Sequence, residues 1–98
     1  MNMRHLFLVC YDVRNPKRLR TVHRRMKGFG EPLQYSVFLC DLDDKALLWL
    51  RSLLEEEMNL AEDRAVIANL GPAEGVAQER LAFLGESVPL PAHQARIV

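Results

Sequence analysis

Leu6-Phe7-Leu8-Val9-Cys10-Tyr11-Asp12-Val13 is the stretch on which the reading of this chain turns. Leu6 to Cys10 are all apolar, so this is a β-strand without polar alternation, and both of its faces should be buried. The chain's own helices can cover one face. At 98 residues little is left to cover the other, which favours a second copy of the chain as the cover. Asp12 is the one acid in the strand and ends it. A carboxylate there either caps the next turn, pairs with Arg14 or Arg18, or holds a cation, because an uncompensated charge in apolar surroundings is costly.

Asn15-Pro16 then opens a helix, with Asn as N-cap and Pro in the first turn. The helix is expected from Asn15 to about Phe29, stopped by Gly28 and Gly30. Leu19, Val22, Met26 and Phe29 form its apolar stripe. Off the stripe lie Lys17, Arg18, Arg20, His23, Arg24, Arg25 and Lys27, with His23 expected to face outward. Leu33 to Leu42 reads as a second strand that can break in two at Ser36. Asp43-Asp44 caps a second helix, Lys45 to about Met58, with Leu47, Leu50, Leu54 and Met58 buried and Trp49 and Leu53 widening the stripe. Its closing Glu55-Glu56-Glu57 reads as a solvated face or, alternatively, as a dock for a basic partner.

Arg64 to Leu70 is a further strand ending at Gly71-Pro72. Between Gly75 and Gly85 a helical turn followed by a strand at 80–84 competes with one short helix, and the strand is favoured. Pro89 and Pro91 interrupt regular structure, and Ala95 to Val98 suits a short edge strand laid across a neighbouring subunit, residues 86–98 forming a proline-bearing arm. The order is that of a single α+β domain over residues 1–98, a ferredoxin-like βαββαβ sandwich with an extra C-terminal β-segment.

Composition narrows the class. Nearly half of the residues are hydrophobic, as in a folded globule. No apolar run approaches the roughly 20 residues of a membrane span and no signal peptide is visible, so a cytoplasmic protein is expected. Cys10 and Cys40 read as buried reduced thiols, with a disulfide between adjacent strands as the alternative, and His5, His23 and His93 show no zinc-ligand spacing. The formal net charge is zero but unevenly placed. Through Gln34 eight Lys/Arg face two acids, and beyond it five face eleven. The basic helix is therefore a candidate phosphate-binding face, with Arg18, Arg20, Arg24 and Arg25 as contacts to a nucleic-acid backbone, and the acidic half a candidate docking surface for a basic protein. Tyr35 and Phe38 can stack on bases in principle, but their strand context favours packing in the core or a dimer.

Tyr11-Asp12-Val13 closing the first strand, the Arg-rich helix ending near Gly30, and Gln34-Tyr35-Ser36-Val37-Phe38 opening the second strand 22 residues after Asp12 together resemble the small CRISPR-associated endoribonuclease family, the smaller protein of the CRISPR adaptation pair. The resemblance spans essentially the whole chain. It implies a homodimer with facing sheets, in which Asp12 of each subunit binds a shared divalent metal, taken as Mg²⁺, and serves as the catalytic residue of a nuclease acting on single-stranded RNA or duplex DNA during spacer acquisition in antiviral defence. The alternative it carries is a structural adaptor that bridges the CRISPR integrase subunit and holds duplex DNA. Tyr11 should point away from Asp12, to the opposite sheet face.

Overall fold

The computed structural model describes residues 3–86. The elements run β1 His5–Asp12, α1 Pro16–Met26, β2 Glu31–Gln34, β3 Val37–Leu42, α2 Asp44–Glu57, β4 Arg64–Pro72 and α3 Val76–Glu79. The four strands form one antiparallel sheet in the order β2-β3-β1-β4. That is the ferredoxin-like arrangement expected from the order of elements. The expected second strand is two, parted by a turn at Tyr35-Ser36. Pro32 lies in the edge strand β2, where a missing N–H costs no ladder bond to an outer neighbour, and the β2–β3 register shifts there.

Local chemistry sets the helix ends. The Asn15 side chain accepts from the amides of Lys17 and Arg18, and α1 begins at once; losing this cap costs about 1 kcal/mol. Asp43 accepts from the Ala46 amide at 2.9 Å and starts α2 in the same way. Gly30 follows α1 where the backbone runs against β3: an added Cβ would collide with the Leu39 carbonyl oxygen and the Cys40 thiol. Gly71, at φ 107°, sits opposite Leu6 at the bulge that shifts the β1–β4 register, a backbone setting that suits glycine.

The two faces of the sheet differ. Phe7, Val9, Tyr11 and Val13 join Phe38, Cys40 and Leu42 under Val22 and Met26 of α1 and Leu50, Leu53 and Leu54 of α2. Leu6 and Leu39 point the other way and are covered by Ala73, Ala77 and Leu81, from β4's end through α3. The favoured strand at 80–84 is not formed: the chain makes the helical turn α3 and then runs without regular structure. Ala77 and Leu81, a helical interval apart, are the residues that pack on the sheet, whereas Leu84 is 97% exposed. Trp49 likewise stays out of the core, half covered beneath the Lys45 ammonium at 5.0 Å. The two cysteines lie on opposite faces, Cys40 in the core and Cys10 half-buried on the other side, and both are free thiols; burial pushes the Cys40 thiol up to about 12. The proline-bearing arm and the expected strand at Ala95–Val98 lie outside the described residues.

Candidate functional site

Among the described residues, only half of the open face is covered. Beyond Leu6 and Leu39, the rows Leu8–Ala68 and Val37–Cys10–Val66 run toward Asp12 and Arg64, which oppose each other across β1 and β4. Leu8, Cys10 and Val37 are half-buried and Val66 is exposed. A shallow depression of about 170 Å³ lies here, lined by Cys10, Val37 and Val66 along its floor and by Asp12, Ser36 and Arg64 at its polar rim. It is an apolar bed ending in one acid and one base.

Asp12 is exposed and, among the described residues, makes no ion pair or side-chain hydrogen bond. Of the two arginines expected beside it, Arg18 is engaged elsewhere. The Arg14 amide donates to Asp63 at 3.0 Å, and the Arg18 guanidinium donates to both oxygens of Asp63 and to Glu62. Asp63, whose side chain is fully buried, also accepts from the Asn59 amide. These donors, Arg18 foremost, hold its carboxyl down at about 2. Asp63 is the joint that ties the turn before β4 to the start of α1.

This bears on the basic helix. Arg18 is closed into the Asp63 pair, and Arg25 reaches Glu56 and Glu57 at the end of α2. Arg20 and Arg24 are exposed and enter no ion pair among the described residues. The glutamates at the end of α2 thus face α1 rather than forming only a solvated face. Arg64, which the sequence offered merely as the start of a strand, joins the site by its register opposite Asp12.

The Tyr35-Ser36 turn is held from three directions. The Tyr11 hydroxyl donates to the Tyr35 carbonyl at 2.8 Å, the Tyr11 amide donates to the Ser36 carbonyl at 3.1 Å, and His23 Nδ1 lies 2.8 Å from the Tyr35 carbonyl. A carbonyl only accepts, so Nδ1 carries the proton. His23 does not face outward as expected: its ring stacks on Tyr35 with centroids 3.9 Å apart and planes 6° from parallel. Tyr11 points into the core, as expected, and burial raises its phenol to about 12, with Tyr35 adding to the shift. Phe38 is fully buried, whereas Tyr35 remains 48% exposed. The Tyr11 hydroxyl and His23 Nδ1 are thus both engaged at the Tyr35 carbonyl.

The donor set has a definite character. Among the described residues no three His, Cys, Asp or Glu side chains gather as a metal cluster. One protomer supplies a single carboxylate. That does not fit a nitrogen- or sulfur-ligated zinc site, but it fits Mg²⁺, which is held through one or two carboxylates and keeps water and phosphate oxygens in its remaining positions.

The family model for CRISPR associated protein Cas2 matches residues 3–74. Over 96 residues the chain is 41% identical to the CRISPR-associated endoribonuclease Cas2 of Geobacter sulfurreducens, covering 98% of this chain and all of that one. It is 37% identical to CRISPR-associated endoribonuclease Cas2 1 of Rhodospirillum rubrum, covering 99% of this chain and 94% of the relative. Among solved structures, a hypothetical protein of Thermus thermophilus superposes with a TM-score of 0.72 at 31% identity, covering 91% of this chain and 99% of that one. Cas2 of Streptococcus pyogenes, solved at pH 6.5, gives 0.71 at 29% identity over 82% of this chain and 99% of its own. With the sheet order, the YDV and QYSVF segments at one sheet end, and these likenesses together, the chain belongs to the Cas2 family of CRISPR-associated proteins.

Proposed function

We propose that the chain is a metal-dependent endonuclease that works as a homodimer in the CRISPR system. The observation that carries this reading is Asp12: an exposed carboxylate, unpartnered among the described residues, at the rim of an apolar sheet face that those residues only half cover. Two copies meeting through that face would cover Leu8, Cys10, Val37 and Val66 and bring two Asp12 carboxylates together. Such a pair would hold Mg²⁺, which when bound would neutralise charge on a phosphoryl oxygen and lower the pKa of water. Hydrolysis adds the elements of water across the phosphodiester: a new P–O bond forms to the water oxygen and the bond to the leaving sugar oxygen breaks. Arg64 sets a positive charge beside Asp12, able to hold a phosphate at the rim. Arg20 and Arg24 hold the strand's backbone along α1 without reading its sequence. The endoribonuclease names of the relatives favour RNA as a substrate.

A second reading, an adaptor that bridges the CRISPR integrase and holds duplex DNA, draws on one observation: Tyr11 and His23 are both committed to the Tyr35 turn, and among the described residues no other His or Tyr side chain lines the depression beside Asp12. The two readings part in one experiment. Wild type and Asp12→Asn are incubated with labelled single-stranded RNA and duplex DNA, in Mg²⁺ and in EDTA. Cleavage that needs both the metal and Asp12 is expected. Cleavage indifferent to Asp12 overturns the nuclease site, and tight DNA binding without cleavage of either substrate leaves the adaptor.

A further inference from the structure

We infer that the Tyr35 ring, backed by His23, is a base-stacking platform that makes the protein favour single-stranded over duplex nucleic acid. The inference rests on the reading above that nucleic acid is bound along α1.

Tyr35 and Phe38 are both in the segment that marks the chain, yet the fold treats them oppositely. Phe38 is fully buried beneath the helices, whereas Tyr35, two residues after Leu33 turns into the sheet, keeps 48% of its surface in solvent. An exposed tyrosine is ordinarily mobile about its side-chain torsions. This one is fixed, because the His23 ring lies parallel to it at 3.9 Å while the His23 edge bonds the Tyr35 carbonyl. His23 is itself packed edge-on against Phe38, at 5.5 Å. The result is a layered stack from the core to the surface, ending in an aromatic ring whose orientation is set before anything binds. A rigid aromatic surface of this kind suits a base, since stacking is worth ~1–3 kcal/mol per base and accepts any base.

Charge and access point the same way. Arg20 and Lys27 lie three residues before and four after His23, on the same side of α1, and both are exposed with no ion pair among the described residues. They flank the stack with positive charge suited to a backbone. The stack stands on the helix side of the sheet, so two copies meeting through their open faces leave it uncovered. Ser36, next in the chain, lines the depression beside Asp12 on the other side. A strand passing over this turn therefore has a base on Tyr35 and a phosphate near the Asp12 rim. Duplex DNA keeps its bases stacked inside and has none to offer.

The test is binding in EDTA, where cleavage plays no part, of a labelled oligouridine, of the same strand built entirely from abasic sugars, and of duplex DNA, to wild type, Tyr35→Ala and Tyr35→Phe. The Tyr35 backbone carbonyl survives both substitutions, so the clamp on the turn is kept. Expected is a roughly tenfold weaker grip on oligouridine for Tyr35→Ala, recovery in Tyr35→Phe, and no change with the abasic strand or duplex. Arg20→Glu serves as the control that weakens all three. Oligouridine binding untouched by Tyr35→Ala while Arg20→Glu weakens it overturns the platform but keeps the basic face. Equal losses on the abasic strand overturn it too, by showing a structural effect. If Arg20→Glu changes none of the three, the reading of α1 as the binding face fails, and the platform with it.

Discussion

Asp12 and Asp63 are two aspartates beside the same β1–β4 pair, Asp12 at the end of β1 and Asp63 one residue before β4. They have opposite settings. Asp63 is fully enclosed and accepts from two backbone amides and a guanidinium, which keeps it ionised down to about pH 2. Asp12 has none of this among the described residues, with an apolar bed on one side and Arg64 across the sheet. A carboxylate that is fully satisfied inside the protein has no valence left for a ligand, whereas one held at a rim without partners does. The contrast separates the acid that builds the fold from the acid available for chemistry.

Substitution should divide the two roles. Asp12→Asn is expected to reduce cleavage by at least about a hundredfold, since metal stabilisation of phosphate charge would lower the barrier by several kcal/mol, while thermal unfolding stays within about 1 °C of wild type because no side-chain contact among the described residues is lost. Asp63→Ala should do the reverse. It strands the Arg14 and Asn59 amides and a half-buried guanidinium, at a cost of about 3 kcal/mol, read as a fall in Tm of more than about 10 °C for a domain this small. Activity per folded molecule should persist at low temperature. A variant of Asp63 that folds normally but does not cleave would collapse the distinction.

Acid sharpens it further. The folded-state pKa of Asp63 lies below its ordinary 3.8, at about 2. Its stabilising effect is therefore complete above pH 3.8 and is lost as pH falls from there toward 2. Urea unfolding of wild type over this range should show a stability decline that is smaller in Asp63→Ala.

The sequence exposed the strands, the caps and the Asp12 rim because each depends on local pattern: an apolar run, Asn15-Pro16, Asp43 three residues before Ala46. It hid what depends on long-range pairing. Arg18 and Asp63 are 45 residues apart and Arg25 and Glu57 are 32, so the uneven charge along the chain looked like two opposed surfaces when part of it is the joint between α1 and the chain around α2. Arg64 entered the site by register alone. The His23–Tyr35 stack was hidden because helical spacing says which side of α1 His23 occupies but not that the β2–β3 turn folds up to meet it. The strand favoured at 80–84 failed for a related reason: Ala77 and Leu81 had a place on the open face, and that burial selects a helical turn.

The smallest expected effect concerns the bases rather than the acids. Arg24 and Arg25 are neighbours on α1 and both are substantially exposed, yet among the described residues only Arg25 is paired, with Glu56 and Glu57. Ion pairs this exposed contribute less than about 1 kcal/mol, so neither Arg→Ala change should move stability much. Binding should still tell them apart. A guanidinium already facing two carboxylates must give them up to meet a phosphate, whereas Arg24 has no carboxylate among the described residues to give up. The logarithmic salt dependence of nucleic-acid affinity should therefore fall by about 1 in Arg24→Ala and by much less in Arg25→Ala. Equal slopes for the two would mean that Glu56 and Glu57 release Arg25 whenever nucleic acid arrives, and that partnered and unpartnered charges divide the work only for the acids.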